Sequence, residues 1–124
     1  RIHKIKMSRN RPASYNNWYW NSENTKINKL NFQTGVYGVL YPPNSFHKDI
    51  CKNKIFQKLS PSADDLWLYW MARLNKKFIV WSEFKKRNIE VINFDDNSLR
   101  KINIFNKNND NKIKNLIRYY GFPK

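Results

Sequence analysis

The stretch that decides the fold is SPSADDLWLYWMARL, residues Ser60–Leu74. On a helix that turns about 100° per residue, most of its apolar side chains share one face roughly 140° wide, as in a helix packed against a protein core. These side chains are Leu66, Trp67, Trp70, Met71 and Leu74. The stretch therefore predicts a long helix that is buried along one face.

The start of this helix carries two adjacent acids in a strongly basic chain. Ser62, followed by Asp65 three positions later, resembles a capping box, and acidic side chains stabilise the positive end of a helix. On the helical wheel Asp64 lies at the Met71 edge of the apolar face, whereas Asp65 points to the opposite, exposed side. The two carboxylates are therefore predicted to have different surroundings.

The acid pair allows two interpretations. In the first, both side chains only cap the helix, and composition alone favours this one. In the second, one carboxylate projects into a cleft and accepts a proton from an attacking hydroxyl group. That role requires an ionised acid held within hydrogen-bonding distance of the hydroxyl.

Strands and helices alternate along the rest of the chain. Strands are predicted in residues 1–7, before Pro12, and in Val36–Tyr41, Lys77–Trp81 and Ile89–Phe94. Helices are predicted in residues 52–59 and from Asn109 or Asp110 to a stop at Gly121, and residues 14–31 predict a loop anchored by Trp18 and Trp20. We therefore predict one α/β or α+β domain over residues 1–124, with a small mixed sheet and flanking helices.

Composition limits the function without choosing it. The chain has 124 residues, 40% of them apolar and 16% aromatic, which indicates a folded domain. Its net charge of +15 would attract nucleic acid, anionic lipid or phosphorylated small molecules, but the lysines are scattered. No apolar run approaches the roughly 20 residues that cross a bilayer, and no signal peptide is visible. The single cysteine, Cys51, excludes an internal disulfide, and its spacing from His47 lacks the second pair that a zinc site needs.

Four short motifs occur in a defined order along the chain. They are Arg1-x-His3, the segment GVYGVLYPP at Gly35–Pro43, the segment ADDLW at Ala63–Trp67, and Asn109-Asp110. In this order the chain resembles the second half of bacterial surface-polysaccharide glycosyltransferases with an A-type fold, and the resemblance covers nearly the whole chain.

The resemblance implies a role for the acid pair. In enzymes of that fold, such a pair at a helix start supplies the base that deprotonates the acceptor hydroxyl. Matched onto this chain, the base is Asp65, with Asp64 as its neighbour.

The resemblance also implies residues that contact the substrates. Gly35 and Gly38 would line the acceptor site, and Tyr41 and Trp67 would offer rings on which a sugar can stack. His3 would contact donor phosphate or metal. For the two rings and for His3, a purely structural role stays open beside the functional one.

Cofactors and partners follow from the same resemblance. A nucleotide-binding half, with Asp-x-Asp acids that hold Mn²⁺ or Mg²⁺, is expected upstream of Arg1, and this chain alone is expected to bind no metal. The partners would be a nucleotide-sugar donor and a glycan or lipid-linked acceptor, without specific nucleic acid, in the cytoplasm or at the inner face of the membrane. Asp95–Asn97 is better explained as a turn than as such a motif, and Lys76 stands near a position where the pattern usually has glycine.

A function of another class competes with this one. The chain could be a basic module without catalysis that binds nucleic acid or anionic membrane. Against nucleic acid, the sequence has no RNA-recognition consensus and no helix with a continuously basic face.

Overall fold

The computed structural model describes residues 1–22, 26–35, 38–82 and 108–123 of the chain. These residues form a small domain of mixed α and β structure, as predicted. The strands are β1 (Ile2–Lys4), β2 (Met7–Ser8), β3 (Arg11–Pro12) and β4 (Asn31–Gln33). The helices are α1 (Asn53–Leu59), α2 (Asp64–Leu74) and α3 (Asn108–Tyr120), with a 3-10 turn at Tyr15–Asn17.

The described strands form two antiparallel pairs. Strand β1 pairs with β4, so that His3 lies opposite Phe32 and Ile2 lies opposite Gln33. Strands β2 and β3 form a tight hairpin in which Arg9 has a positive φ of 54°. The sequence had predicted that Pro12 ends the first strand. In the structure Pro12 is instead part of strand β3.

Helix α2 lies in the core and is buried on more than the predicted face. Tyr69, which lies outside the predicted apolar face, is fully buried, and its ring centroid lies 5.4 Å from that of Phe32 in β4. The Tyr69 hydroxyl donates to the carbonyl of Lys29 at 2.8 Å, so the polar end of this side chain is satisfied inside the protein. Strand β4 and the segment before it therefore cover the side of α2 that the sequence predicted to be exposed.

The predicted capping box at the start of α2 is wrong. The residue before the first helical turn is Ala63, and no side chain caps the helix. Ser62 has a positive φ of 55°, and its hydroxyl accepts a hydrogen bond from the Lys112 ammonium group at 3.3 Å. Asp65 uses its carboxylate elsewhere, in a contact with the segment after β4.

The two other predicted helices are confirmed. The predicted helix at residues 52–59 is α1, and the last helix begins at Asn108, one or two residues before the predicted start. Gly121 ends α3 with a φ of 78°, and its N–H donates to the carbonyl of Ile117 at 2.8 Å. This left-handed conformation explains why glycine stands there.

Two predicted strands are wrong where they can be compared with the structure. The predicted strand Val36–Tyr41 falls partly outside the described residues, and residues 38–41 form no strand because Gly38 turns back, with its N–H bonded to the Gly35 carbonyl at 3.0 Å. Lys77–Trp81 is irregular as well. There, Lys76 reverses the chain after α2 with a φ of 58°, the conformation that glycine adopts most easily. The predicted strand Ile89–Phe94 and the turn Asp95–Asn97 lie outside the described residues.

Within the described part of the chain, no helix is both long enough and apolar enough to cross a bilayer.

Candidate functional site

The candidate site lies where the first turn of α2 meets the end of β4. Gln33, the last residue of β4, donates from its side-chain amide to the backbone carbonyl of Asp65 at 3.2 Å. Two residues later, the N–H of Gly35 donates to Oδ1 of Asp65 at 2.8 Å. These two bonds join the segment 33–35 to the helix start and fix the direction of the Asp65 side chain.

The Asp65 carboxylate is half-buried and held through one oxygen. Oδ1 accepts the Gly35 N–H, while Oδ2 has no hydrogen-bond partner among the described residues. This geometry corrects the predicted orientation, because Asp65 faces the segment after β4 and Asp64 is the exposed member of the pair. The prediction that the two carboxylates have different surroundings is confirmed.

Burial changes the acidity of Asp65. Removal from water raises the pKa of this carboxyl group from 3.8 to about 6, and the negative charge of Asp64 adds to the increase. The hydrogen bond from Gly35 and the charge of Arg1 oppose the shift without cancelling it. The group is therefore mostly ionised at neutral pH and is a stronger base than an ordinary aspartate.

Two tyrosines lie within the electrostatic reach of Asp65. Burial raises the pKa of Tyr15 to about 12, and the charge of Asp65 adds to this increase. Burial also raises the pKa of Tyr41, where the side chain of Gln33 opposes the shift and Asp65 and Asp64 add to it. Both phenols are therefore neutral at physiological pH and can act only as hydrogen-bonding groups there.

Sequence reasoning did not find Gln33 and Tyr15 as members of this cluster. Tyr15 is placed by α3, because Asp110 accepts both the Tyr15 N–H and the Ser14 hydroxyl at 2.7 Å. Asp110 had been noted only as part of a motif, and no local pattern links it to residues that lie 95 and 96 positions away. Gln33 stands in a strand that the sequence had placed several residues later.

The other side of the helix start is lined by aromatic and apolar groups. Asp64 lies at the rim of a pocket of about 330 Å³ whose wall includes Trp67. The Trp67 side chain is 4% exposed, and its indole N–H donates to the carbonyl of Ile50 at 3.1 Å. Its ring also packs near Phe56 and Tyr120, so the structure places Trp67 in the core as well as in the pocket wall.

The remaining predicted site residues lie at different depths. Tyr41 is half-buried against Phe46, with ring centroids 4.7 Å apart, and Gly38 is exposed with a φ of 84°. His3 is 1% exposed, and its Nδ1 accepts the N–H of Asn21 at 3.0 Å. The structure therefore brings Gly35 and Tyr41 towards Asp65, while the substrate contacts predicted for these residues stay predictions.

Burial also sets the charge of His3. Removal from water lowers the pKa of its imidazole from 6.5 to about 4, and the charge of Arg1 lowers it further. His3 is thus neutral at physiological pH, and its buried Nε2 has no hydrogen-bond partner among the described residues. A contact with phosphate would therefore use a neutral N–H donor and not an imidazolium ion.

The chain was compared with known proteins and examined for metal ligands. No protein-family model, no curated protein and no solved structure matches it. In the described ranges, no three His, Cys, Asp or Glu side chains are grouped as ligands of a metal ion.

Proposed function

We propose that this chain forms the acceptor-side part of an A-type glycosyltransferase, which moves a sugar from a nucleotide-sugar donor to a hydroxyl group of a surface glycan. The observation that carries the proposal is the state of Asp65. Its carboxyl group is half-buried, is anchored through Oδ1 by Gly35, and has a pKa raised to about 6. A base with a pKa near the working pH and one free oxygen suits proton abstraction from an alcohol.

The chemistry assigned to this chain is a single proton transfer. Oδ2 of Asp65 takes the proton of the acceptor hydroxyl while that oxygen attacks the anomeric carbon of the donor sugar. The bond between this carbon and the leaving diphosphate breaks as the new glycosidic bond forms. One displacement of this kind inverts the configuration at the anomeric carbon.

The donor side of the reaction belongs to another part of the proposed enzyme. A nucleotide-binding half would hold the diphosphate, together with a Mn²⁺ or Mg²⁺ ion that stabilises the leaving group. The described residues of this chain do not group as ligands for such an ion. A cytoplasmic location at the inner face of the membrane would give access to nucleotide sugars and to lipid-linked acceptors.

The test replaces the proposed base in the natural full-length protein that contains this chain. Asp65→Asn removes the proton acceptor and keeps the shape of the side chain, so we expect sugar transfer to fall by at least about 100-fold. Donor affinity, measured by calorimetry, should stay unchanged because the donor binds elsewhere.

Asp64→Asn is the matched control for that variant. It keeps the base but removes a neighbouring negative charge, so the pKa of Asp65 falls. The acidic limb of the pH–rate profile should then move to lower pH, with the maximal rate changed only a few-fold, on the order of 2 to 5. Full transfer activity in Asp65→Asn would refute the proposed base.

A second candidate function has a specific observation in its favour. Tyr19 and Trp20 are 55% and 38% exposed, and the Lys6 ammonium group lies 5.9 Å from the centre of the Tyr19 ring. Exposed rings beside basic side chains suit nucleic acid or an anionic membrane. Titrations with mixed oligonucleotides and with anionic vesicles at increasing salt test this alternative. Micromolar affinity with a steep salt dependence, lost in Lys6→Ala, would favour it over the transferase.

A further inference from the structure

A pocket on the outer side of the α2 start takes no part in the proton transfer proposed for Asp65, although Trp67 in its wall is also one of the predicted sugar-stacking rings. It lies between the turn before α1, helix α1 and the first turns of α2, and its volume is about 330 Å³. Its wall is formed by Ile50, Phe56, Trp67 and Leu68, and Cys51 and Asp64 are also among the residues that line it. The pocket is wide open to solvent and lined mainly by apolar surface, so it offers contact to one small organic group and does not enclose a ligand.

The aromatic part of the wall is fixed in place. The rings of Phe56 and Trp67 lie 5.8 Å apart at an angle of 52°, and the indole N–H of Trp67 is held by the carbonyl of Ile50. The hydrogen bond fixes the orientation of the Trp67 ring, so the part of it that lines the pocket needs no reordering when a ligand binds.

The Asp64 carboxylate at this pocket forms no ion pair with the described part of the chain. The nearby Lys52 is bound by Asp49 instead, with 2.7 Å between its Nζ and Oδ1 of that residue. In a chain with a net charge of +15, an exposed carboxylate that lines a pocket together with two aromatic residues, and that pairs with no cation among the described residues, is a specific local feature.

We propose that this pocket binds a small organic cation, an ammonium group carried on a compact apolar body. The ammonium charge would be balanced by the Asp64 carboxylate and attracted by the faces of Phe56 and Trp67. The apolar body would contact Ile50 and Leu68. Cation–π attraction to Trp and Phe and attraction to a carboxylate both favour a positive ligand over a neutral one of the same shape.

The first experiment compares choline with its neutral isostere 3,3-dimethylbutan-1-ol, using the intact chain and following the amide signals of residues 50–56 by NMR. We expect choline to bind at least about fivefold more tightly than the isostere, because only choline gains from the charge and the rings. Equal affinity of the two probes, or no saturable shift with choline, would overturn the proposal.

Two variants test whether Asp64 causes the preference for choline over the neutral isostere. Asp64→Asn removes the charge from an exposed position and should abolish the preference for choline. Asp65→Asn removes the adjacent carboxylate, which does not line the pocket, and should keep the preference. An unchanged preference in Asp64→Asn, or its loss only in Asp65→Asn, would contradict the assigned site.

The single cysteine provides a second readout that does not depend on ligand affinity. Cys51 is exposed and lines the pocket, so its thiol can be modified by methanethiosulfonate reagents of opposite charge. The thiolate displaces sulfinate and forms a mixed disulfide with the reagent. The ratio of the rate with the trimethylammonium reagent to that with the sulfonate reagent reports the local potential.

We expect this ratio to fall by about fivefold in Asp64→Asn and to stay within about twofold of the starting value in Asp65→Asn. In the chain without substitutions, choline should lower the rate at which the cationic reagent modifies Cys51. A ratio that does not respond to Asp64→Asn would show that the carboxylate does not control the pocket. None of these readouts involves sugar transfer, so they can fail while Asp65 remains the base, and the reverse also holds.

Discussion

The two sides of the first turn of α2 place identical side chains in opposite environments. On one side, Asp65 is half-buried and bonded to the backbone of Gly35. On the other, Asp64 is exposed at the rim of an aromatic pocket. The difference arises from the neighbouring segments, since the end of β4 covers Asp65 whereas the turn before α1 leaves Asp64 open. Adjacent aspartates can therefore differ in acidity and in partners because of what packs beside them.

The two sides are nevertheless coupled. The charge of Asp64 contributes to the raised pKa of Asp65, second only to burial. Trp67, one turn further along, forms the wall of the Asp64 pocket and is also a member of the core. Substitutions on each side should therefore have effects of different size on stability and on the pKa of Asp65.

The largest change in stability is expected from truncating Trp67, which lines the pocket next to Asp64. Trp67→Ala deletes a buried ring and its hydrogen bond to Ile50, so we expect a loss of about 3 to 4 kcal/mol in the free energy of unfolding. Urea denaturation followed by circular dichroism measures this loss. Leu68→Ala, in the same wall but only half-buried, should cost about 1 kcal/mol. Similar losses for both variants would show that Trp67 is not a core residue.

The next effect concerns the pH dependence of stability on the Asp65 side. The folded chain keeps a proton on Asp65 up to a pKa of about 6, whereas the unfolded chain releases it near 3.8. Between these values the folded state binds more protons, so stability is highest below the unfolded pKa and falls as pH rises through the folded pKa. Allowing for partial exposure, the loss by pH 7 is about 1 to 2 kcal/mol.

Asp65→Asn should remove this loss. The variant should be more stable than the original chain at pH 7 by about 1 kcal/mol and equal to it near pH 3, because its amide oxygen still accepts the Gly35 N–H. Urea titrations at a series of pH values test this expectation. A variant that is less stable at pH 7 would mean that the ionised carboxylate stabilises the fold, contrary to the raised pKa.

The sequence predicted the helices well, for local reasons. The periodic apolar residues identified α2, and the glycine at position 121 identified the end of α3. The predicted strands Val36–Tyr41 and Lys77–Trp81 rested on apolar composition, and they failed at residues 38–41 and 77–81, which the structure describes. The chain instead turns at Gly38 and at Lys76, where φ is positive and each N–H donates to a carbonyl three residues earlier.

The candidate site was only partly predictable, because one of its segments is distant in the sequence. The helical wheel correctly separated Asp64 from Asp65, because their angular positions follow from the helix alone. It assigned the wrong exposures, because the cover over Asp65 comes from Gly35, 30 residues earlier. Long-range contacts of this kind leave no periodic pattern in a single sequence.

The smallest effect separates the two glycines on the Asp65 side. A Cβ built on Gly35 lies 3.3 Å from Oδ1 of Asp65, so Gly35→Ala should displace the carboxylate slightly and weaken its hydrogen bond. Gly38→Ala meets no atom within 4 Å but has a φ of 84°. Each variant should cost about 1 kcal/mol of stability, the first through crowding and the second through backbone strain.

Only Gly35→Ala should raise the pKa of Asp65 further, since the lost hydrogen bond favours the ionised form. Carboxyl ¹³C NMR titration distinguishes the two variants, and equal pKa values in both would mean that Gly35 does not position the proposed base.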